Sequence, residues 1–207
     1  MIFSDSDIAQ MPQRYRANFI NCLSGFKSAN LVGTQNQDGQ TNLAIVSSVF
    51  HVGANPPLLG MIMRPHTVPR DTLQNIKDSG VYTLNAVPVA HVEAAHQTSA
   101  RYDESEFTAV GLTPHYTSTL NAPYVAESPL RIGLELAQRE VIELNQTELV
   151  IGRVVEVFVD NNIITNDGYI DIEQLQIATI SGLDTYHKTT KINRFSYAKP
   201  NEPLEKL

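Results

Sequence analysis

The sequence predicts a mainly β (α+β) fold in which antiparallel strands close, or partly close, into a barrel carrying a few short peripheral helices. Three observations predict it. Two long runs, 128–143 and 148–159, are rich in Val, Ile and Leu with charges interspersed, the pattern of paired antiparallel strands. Asp38-Gly39 sits between two apolar stretches and is a hairpin signal. Helical stretches are short and do not alternate with strands, which argues against a parallel βαβ sheet.

The chain has 207 residues, the length of one domain with a real core. The expected organisation is a single domain over 1–207, with an N-terminal helical segment at 1–25 and a loose charged tail at 200–207. A hydrophobic content of 42% with 18% charged residues fits a soluble globular protein rather than a disordered one. A formal charge of −7 argues against nucleic-acid binding, and no basic run offsets it. No apolar run approaches a membrane span. A single cysteine, Cys22, allows no internal disulfide and fits a reducing compartment. The first residues lack the basic and apolar regions of a signal peptide, so the expected location is cytoplasmic.

In chain order, an amphipathic helix is expected near Arg14 to Leu23, with Cys22 on it as a small buried hydrophobe. Residues 26–35 read as a strand, and residues 41–52 as its returning partner. On that strand Asn42 and Ser48 share one face, and Ser47 lies on the other. A face of Asn42, Ala44 and Ser48 is polar but small, which suits a flat ring laid against it; water-facing serines on a half-exposed strand would look the same. The turn at Gly53-Ala54-Asn55-Pro56-Pro57 leads to a strand at 58–63, apolar enough to be buried on both faces.

The loop 64–70 follows. Its prolines, Pro65 and Pro69, forbid a regular ladder or helix. Arg64, Thr67, Arg70 and Thr72 gather hydroxyl and guanidinium groups at a helix start, a chemistry suited to an anion such as phosphate. An ordinary solvated strand-to-helix loop has the same composition. The helix 71–80 is expected to begin at an Asp71 cap and stop at Gly80. Residues 81–87 are the next strand, with Asn85 bonding neighbouring backbone.

His91 and His96 are five apart, separated by about 140° around a helix, so they do not form a zinc pair. They are read as solvated or as local hydrogen-bond partners, and no metal site is expected. Residues 98–107 read as a polar surface segment. Asn145-Gln146 links the two long strands, a short strand is expected within 176–181, a polar loop at 182–191 and a last strand at 192–197. No G-x-G-x-x-G or Walker glycine pattern occurs among the eleven glycines, and no G-x-S-x-G elbow.

Four blocks, in order, carry a resemblance. They are Asn42-Leu43-Ala44-x-x-Ser47-Ser48-x-Phe50, then Asn55-Pro56-Pro57-Leu58-Leu59-Gly60. Next come Arg64-Pro65-x-Thr67 with Arg70-Asp71-Thr72-Leu73-x-Asn75-Ile76, and finally Tyr82-Thr83-Leu84-Asn85. Together they resemble the flavin reductase-like family of FMN-binding split β-barrels, with a looser likeness over residues 26–197.

The resemblance implies a Greek-key split barrel and a homodimer with FMN at the interface. It implies that Ser47 or Ser48, Arg64, Thr67, Arg70 and Thr72 hold the phosphate, and that Asn75 joins them or fixes the loop. Backbone groups near Asn42, Leu43 and Ala44 would read the polar edge of the ring. Tyr186 and His187 are candidates for flavin contact, and Arg101 or Tyr102 could cover the ring. Electrons would pass from NADH or NADPH, a transient donor, through FMN to an acceptor. Hydride transfer of this kind needs no side-chain acid or base, so no catalytic residue is assigned. An FMN electron-transfer protein without nicotinamide-dependent activity would share the same binding residues.

Overall fold

The computed structural model describes residues 1–65 and 71–207. Helices α1 (Asp5–Gln10) and α2 (Gln13–Cys22) precede strands β1 (Lys27–Ser28), β2 (Asn30–Gln35), β3 (Thr41–Val46), β4 (Phe50–Ala54) and β5 (Pro57–Met63). Helix α3 (Asp71–Ser79), β6 (Val81–Ala86), α4 (Val92–Gln97), α5 (Glu106–Val110), β7 (Pro114–His115) and β8 (Tyr124–Val125) follow. The long β9 (Arg131–Ile142) and β10 (Thr147–Phe158) come next, then β11 (Thr179–Ser181) and β12 (Thr185–His187).

Seven strands form one antiparallel sheet in the order β3-β2-β6-β9-β10-β5-β4. Its two edges, β3 and β4, are consecutive in the chain, joined only by residues 47–49. The sheet must therefore curl until its edges meet, and residues 47–49 form the seam. The sequence reads 41–52 as one strand; the structure breaks it here because the chain has to leave one edge and join the other. Ser48 bridges the gap: its hydroxyl donates to the Ile62 carbonyl at 2.8 Å and accepts from the Ile62 amide at 3.2 Å. One side chain thus stands in for a missing ladder rung.

The barrel interior is apolar. Val32, Met61, Leu73, Ile76, Tyr82, Leu84, Leu134 and Val150 form one buried cluster, with Val46 and Val49 packed against it. Each large aliphatic side chain there contributes roughly 1.5–3 kcal/mol on burial. Helix α3 supplies Leu73 and Ile76, so it closes this interior against β2 and β3. It stops at Gly80, whose φ of 72° an L side chain rarely adopts. The helix begins at Asp71 itself, which places that acid in the first turn rather than before it.

A second cluster lies on the outer face of β2 and β3, where Leu31, Leu43, Ala95, Phe107, Val125 and Ile180 meet. Asn85 pins this layer as expected: its amide donates to the Leu31 carbonyl at 3.1 Å, and its oxygen accepts from the Val125 amide at 2.9 Å. A third patch, Leu120, Ala122 and Tyr124, covers β6 and β9. There the Glu156 carboxylate accepts from Thr117 (3.0 Å), Tyr124 (2.8 Å) and Thr119. A Cβ at position 133 would meet the Tyr124 hydroxyl, so Gly133 is what admits it.

Several expectations are corrected. Cys22 is exposed, not buried, because neither α1 nor α2 buries any residue on the chain's own core. The strand 58–63 is not buried throughout; Leu58, Leu59 and Ile62 are half-buried. The segment 98–107 is not simply solvated, since Thr98 and Phe107 are buried at its ends. The polar loop 182–191 contains β12, which pairs with β11. The last strand is reduced to a bridge between Phe195 and Lys206, and the tail is not loose. It turns back so that Ser196 donates to Glu205 and Leu207 to Arg194, each at 2.9 Å. Arg194 pairs with Asp167 and lies 4.4 Å from the Tyr169 ring centroid, which roots this hairpin on the body.

Candidate functional site

The candidate residues collect around β3, the seam and the end of β5, but they face three ways. On the inner face, the Asn42 amide donates to the Thr72 hydroxyl at 2.8 Å and to Thr34 Oγ1 at 3.2 Å. Asn75 donates to the same Thr34 oxygen at 3.2 Å. Thr34 is 0% exposed, Thr72 5% and Asn75 6%. This is an interior polar network that fastens α3 to the sheet, so the hydroxyl of Thr72 and the amide of Asn75 point into the molecule. Thr34 was not a sequence candidate; its place opposite Asn42 in the β2–β3 register is what brings it in.

On the outer edge, two backbone amides are already engaged. Antiparallel pairing turns Asn42 and Ala44 toward Thr34 and Val32 of β2. The outward amides of the edge strand are taken by side chains: Leu43 donates to Glu106 Oε2 and Ile45 to Thr98 Oγ1, both at 3.0 Å. Thr41 and Ser105 share a hydrogen bond of 2.6 Å. On the segment expected to read a ring edge, the Leu43 amide thus has a partner within the chain. The segment 98–106 caps that edge, as an unpaired strand requires. Its signal in the sequence was the hydroxyl and carboxylate groups flanking the buried Phe107.

Leu43 itself is buried in the outer cluster, and Tyr186 packs against that cluster together with Ile45. The Tyr186 hydroxyl meets His96 Nδ1 at 3.0 Å, which gives His96 its local partner. Burial raises the Tyr186 pKa, and the charge of Asp184 adds to the rise. His187 Nε2 is 2.7 Å from the Ser181 hydroxyl, and its ring meets Phe26 edge-on. Tyr102 accepts from Gln97 at 2.7 Å, on the surface. His91 Nδ1 is buried without a hydrogen-bond partner among the described residues.

At the seam, Ser48 is engaged with Ile62, whereas Ser47 is half-buried and makes no hydrogen bond among the described residues. Two residues beyond Ile62, Arg64 leaves the end of β5. It is exposed and makes no hydrogen bond or ion pair among the described residues. Thr67 and Arg70 lie outside the described residues. An unengaged hydroxyl and an unengaged guanidinium near a barrel seam are a donor set for a phosphate. Among the described residues no group of three His, Cys, Asp or Glu could hold a metal ion, and no helix is long and apolar enough to cross a membrane.

Comparison with known proteins gives a consistent answer. A family model described as "Flavin reductase like domain" matches residues 24–173. A protein from Shewanella frigidimarina NCIMB 400, named as a proposed flavin reductase with a split barrel domain, is 53% identical with a TM-score of 0.92. That match covers 96% of this chain and 100% of the other. Flavoredoxin of Desulfovibrio vulgaris (Miyazaki F) is 25% identical over 86% of this chain and 92% of its own, with a TM-score of 0.69. Nitrilotriacetate monooxygenase component B from Bacillus cereus shares the fold, with 22% identity over 92% of this chain and 96% of its own, at a TM-score of 0.81. A search of curated proteins returns no match.

Proposed function

The chain belongs to the flavin reductase-like family, and from that premise we propose that it binds FMN and moves electrons from NADH or NADPH through the flavin to an acceptor. Membership carries the flavin-linked redox role; FMN, the nicotinamide donor and a homodimeric site are the reading advanced here. The observation that supports it is Arg64: an exposed guanidinium without a partner among the described residues, two residues past the Ser48–Ile62 clasp. Together with the Ser47 hydroxyl, which makes no hydrogen bond among the described residues, it supplies charge and hydrogen bonds that fit a terminal phosphate. Thr67 and Arg70 are proposed to complete that set. Asn42, Thr72 and Asn75 support it indirectly, by holding α3 in place. Tyr186 is proposed as a flavin contact from β12.

Bound flavin would accept hydride and pass electrons on. The chain's own part is to hold the phosphate, to fix the seam through Ser48 and to keep water from the outer edge of β3 through Thr98 and Glu106. The test is the visible spectrum of the purified chain, repeated after FMN addition and desalting. A retained yellow spectrum that bleaches with NADH or NADPH supports the proposal. A chain colourless under both conditions overturns tight FMN binding, and a yellow chain that neither nicotinamide bleaches overturns the reductase half.

A further inference from the structure

The outer face of the barrel carries an arginine that makes no ion pair among the described residues. Arg131 begins β9, and none of its guanidinium hydrogens has an acceptor there; its Nε is buried and unpartnered. The guanidinium carbon stands 4.9 Å from the centroid of the Phe158 ring. Tyr124 meets that ring edge-on at 5.2 Å, so the platform under the guanidinium is fixed. Beside it opens a groove of about 360 Å³ lined by Ser128, Pro129, Arg131, Phe158 and Asp160, among others.

The other polar groups of this face are already engaged. The Ser128 hydroxyl shares its hydrogen between the carbonyls of Ala86 (2.7 Å) and Leu130 (2.9 Å). Asp160 accepts from the Asn162 amide at 2.9 Å. Glu156 accepts from three hydroxyls. Among the described residues Arg131 is thus the donor left over on this face. A planar guanidinium fork held over an aromatic ring matches the two oxygens of a carboxylate. Asp160 on the groove wall repels a second negative charge, which disfavours a dianionic phosphate. The volume is at the small end for a ligand site.

We propose that this groove binds a small monocarboxylate, gripped by Arg131 over Phe158. The test follows the Arg131 Nε–H resonance of the full chain while acetate, benzoate or inorganic phosphate is added. The expected result is a saturable shift with acetate or benzoate and a weaker response to phosphate. Arg131→Gln should weaken carboxylate binding by about tenfold or more, read by calorimetry. No saturable shift with either carboxylate overturns the proposal, as does tighter binding of phosphate or unchanged calorimetric binding in Arg131→Gln. The resonance is read on the unaltered chain, so the titration decides the matter even if the variant does not fold.

Discussion

The side-chain amide of Asn42 donates to the hydroxyl of Thr72 at 2.8 Å, tying the edge strand β3 to the first turn of α3. The contact is interior, and Thr34 accepts from Asn42 and Asn75 beneath it. Asn42→Ala should destabilise the fold by about 1–3 kcal/mol, because it strips partners from buried hydroxyls. Urea unfolding measures this. Thr72→Val should likewise lower stability. A Thr72→Val chain that keeps its stability yet loses flavin would show that the hydroxyl serves the ligand, not the fold.

Arg64 separates binding from folding. It is exposed and touches no partner among the described residues, so Arg64→Ala should leave stability within about 0.5 kcal/mol of the parent. Loss of a charge-assisted contact worth about 1.5–3 kcal/mol should weaken FMN binding by about 10- to 100-fold. Flavin fluorescence titration reads the affinity. An unchanged affinity would remove Arg64 from the phosphate site.

Glu156 predicts an acid-side loss of stability. Burial works to raise its pKa, but the hydroxyls of Thr119, Tyr124 and Thr117 outweigh it, and the net effect is a value below the ordinary one. A depressed folded pKa means the stabilisation is present above the unfolded value, about 4.3, and fades as pH falls through the folded one. Glu156→Gln should therefore flatten the fall in stability below about pH 4.3 and be less stable at neutral pH. Urea curves at several pH values provide the check; parallel profiles for parent and variant would count against it.

The cap on the β3 edge can be lifted one bond at a time. Glu106→Ala should speed hydrogen exchange at the Leu43 amide, and Thr98→Ala at the Ile45 amide, each several-fold and without affecting the other. Residue-resolved exchange by NMR distinguishes them. Equal acceleration at both amides in either variant would mean that the whole edge opens as one unit.

Much of the fold was legible because its signals are local. Asp38-Gly39 turns the β2–β3 hairpin, Asn145-Gln146 links β9 to β10, and Gly80 ends α3. Asn85, a polar residue in an apolar strand, does bond neighbouring backbone. What escaped was set by distant partners. The break at residues 47–49 exists because β3 and β4 belong to opposite edges of one sheet, which no short stretch of sequence records. The inward turn of Thr72 and Asn75 could have been read: they flank Leu73 and Ile76 on one helix face, and that face has to meet the core. The four family blocks marked the candidate residues, while their division between inner face, edge and seam came from the topology.

The pairing of β5 with β10, in which Leu58 faces Arg153 and Met63 faces Glu148, sets a timetable for synthesis. Until β10 has left the ribosome, β5 has only β4 beside it, and the methionines of its inner face have no lid. The barrel wall cannot close on the nascent chain before about three-quarters of it exists, and contacts this far apart in sequence form slowly. The half-made chain therefore presents a strand edge and an apolar face together. Its yield in the cell should depend on translation speed and on chaperones that shield such segments.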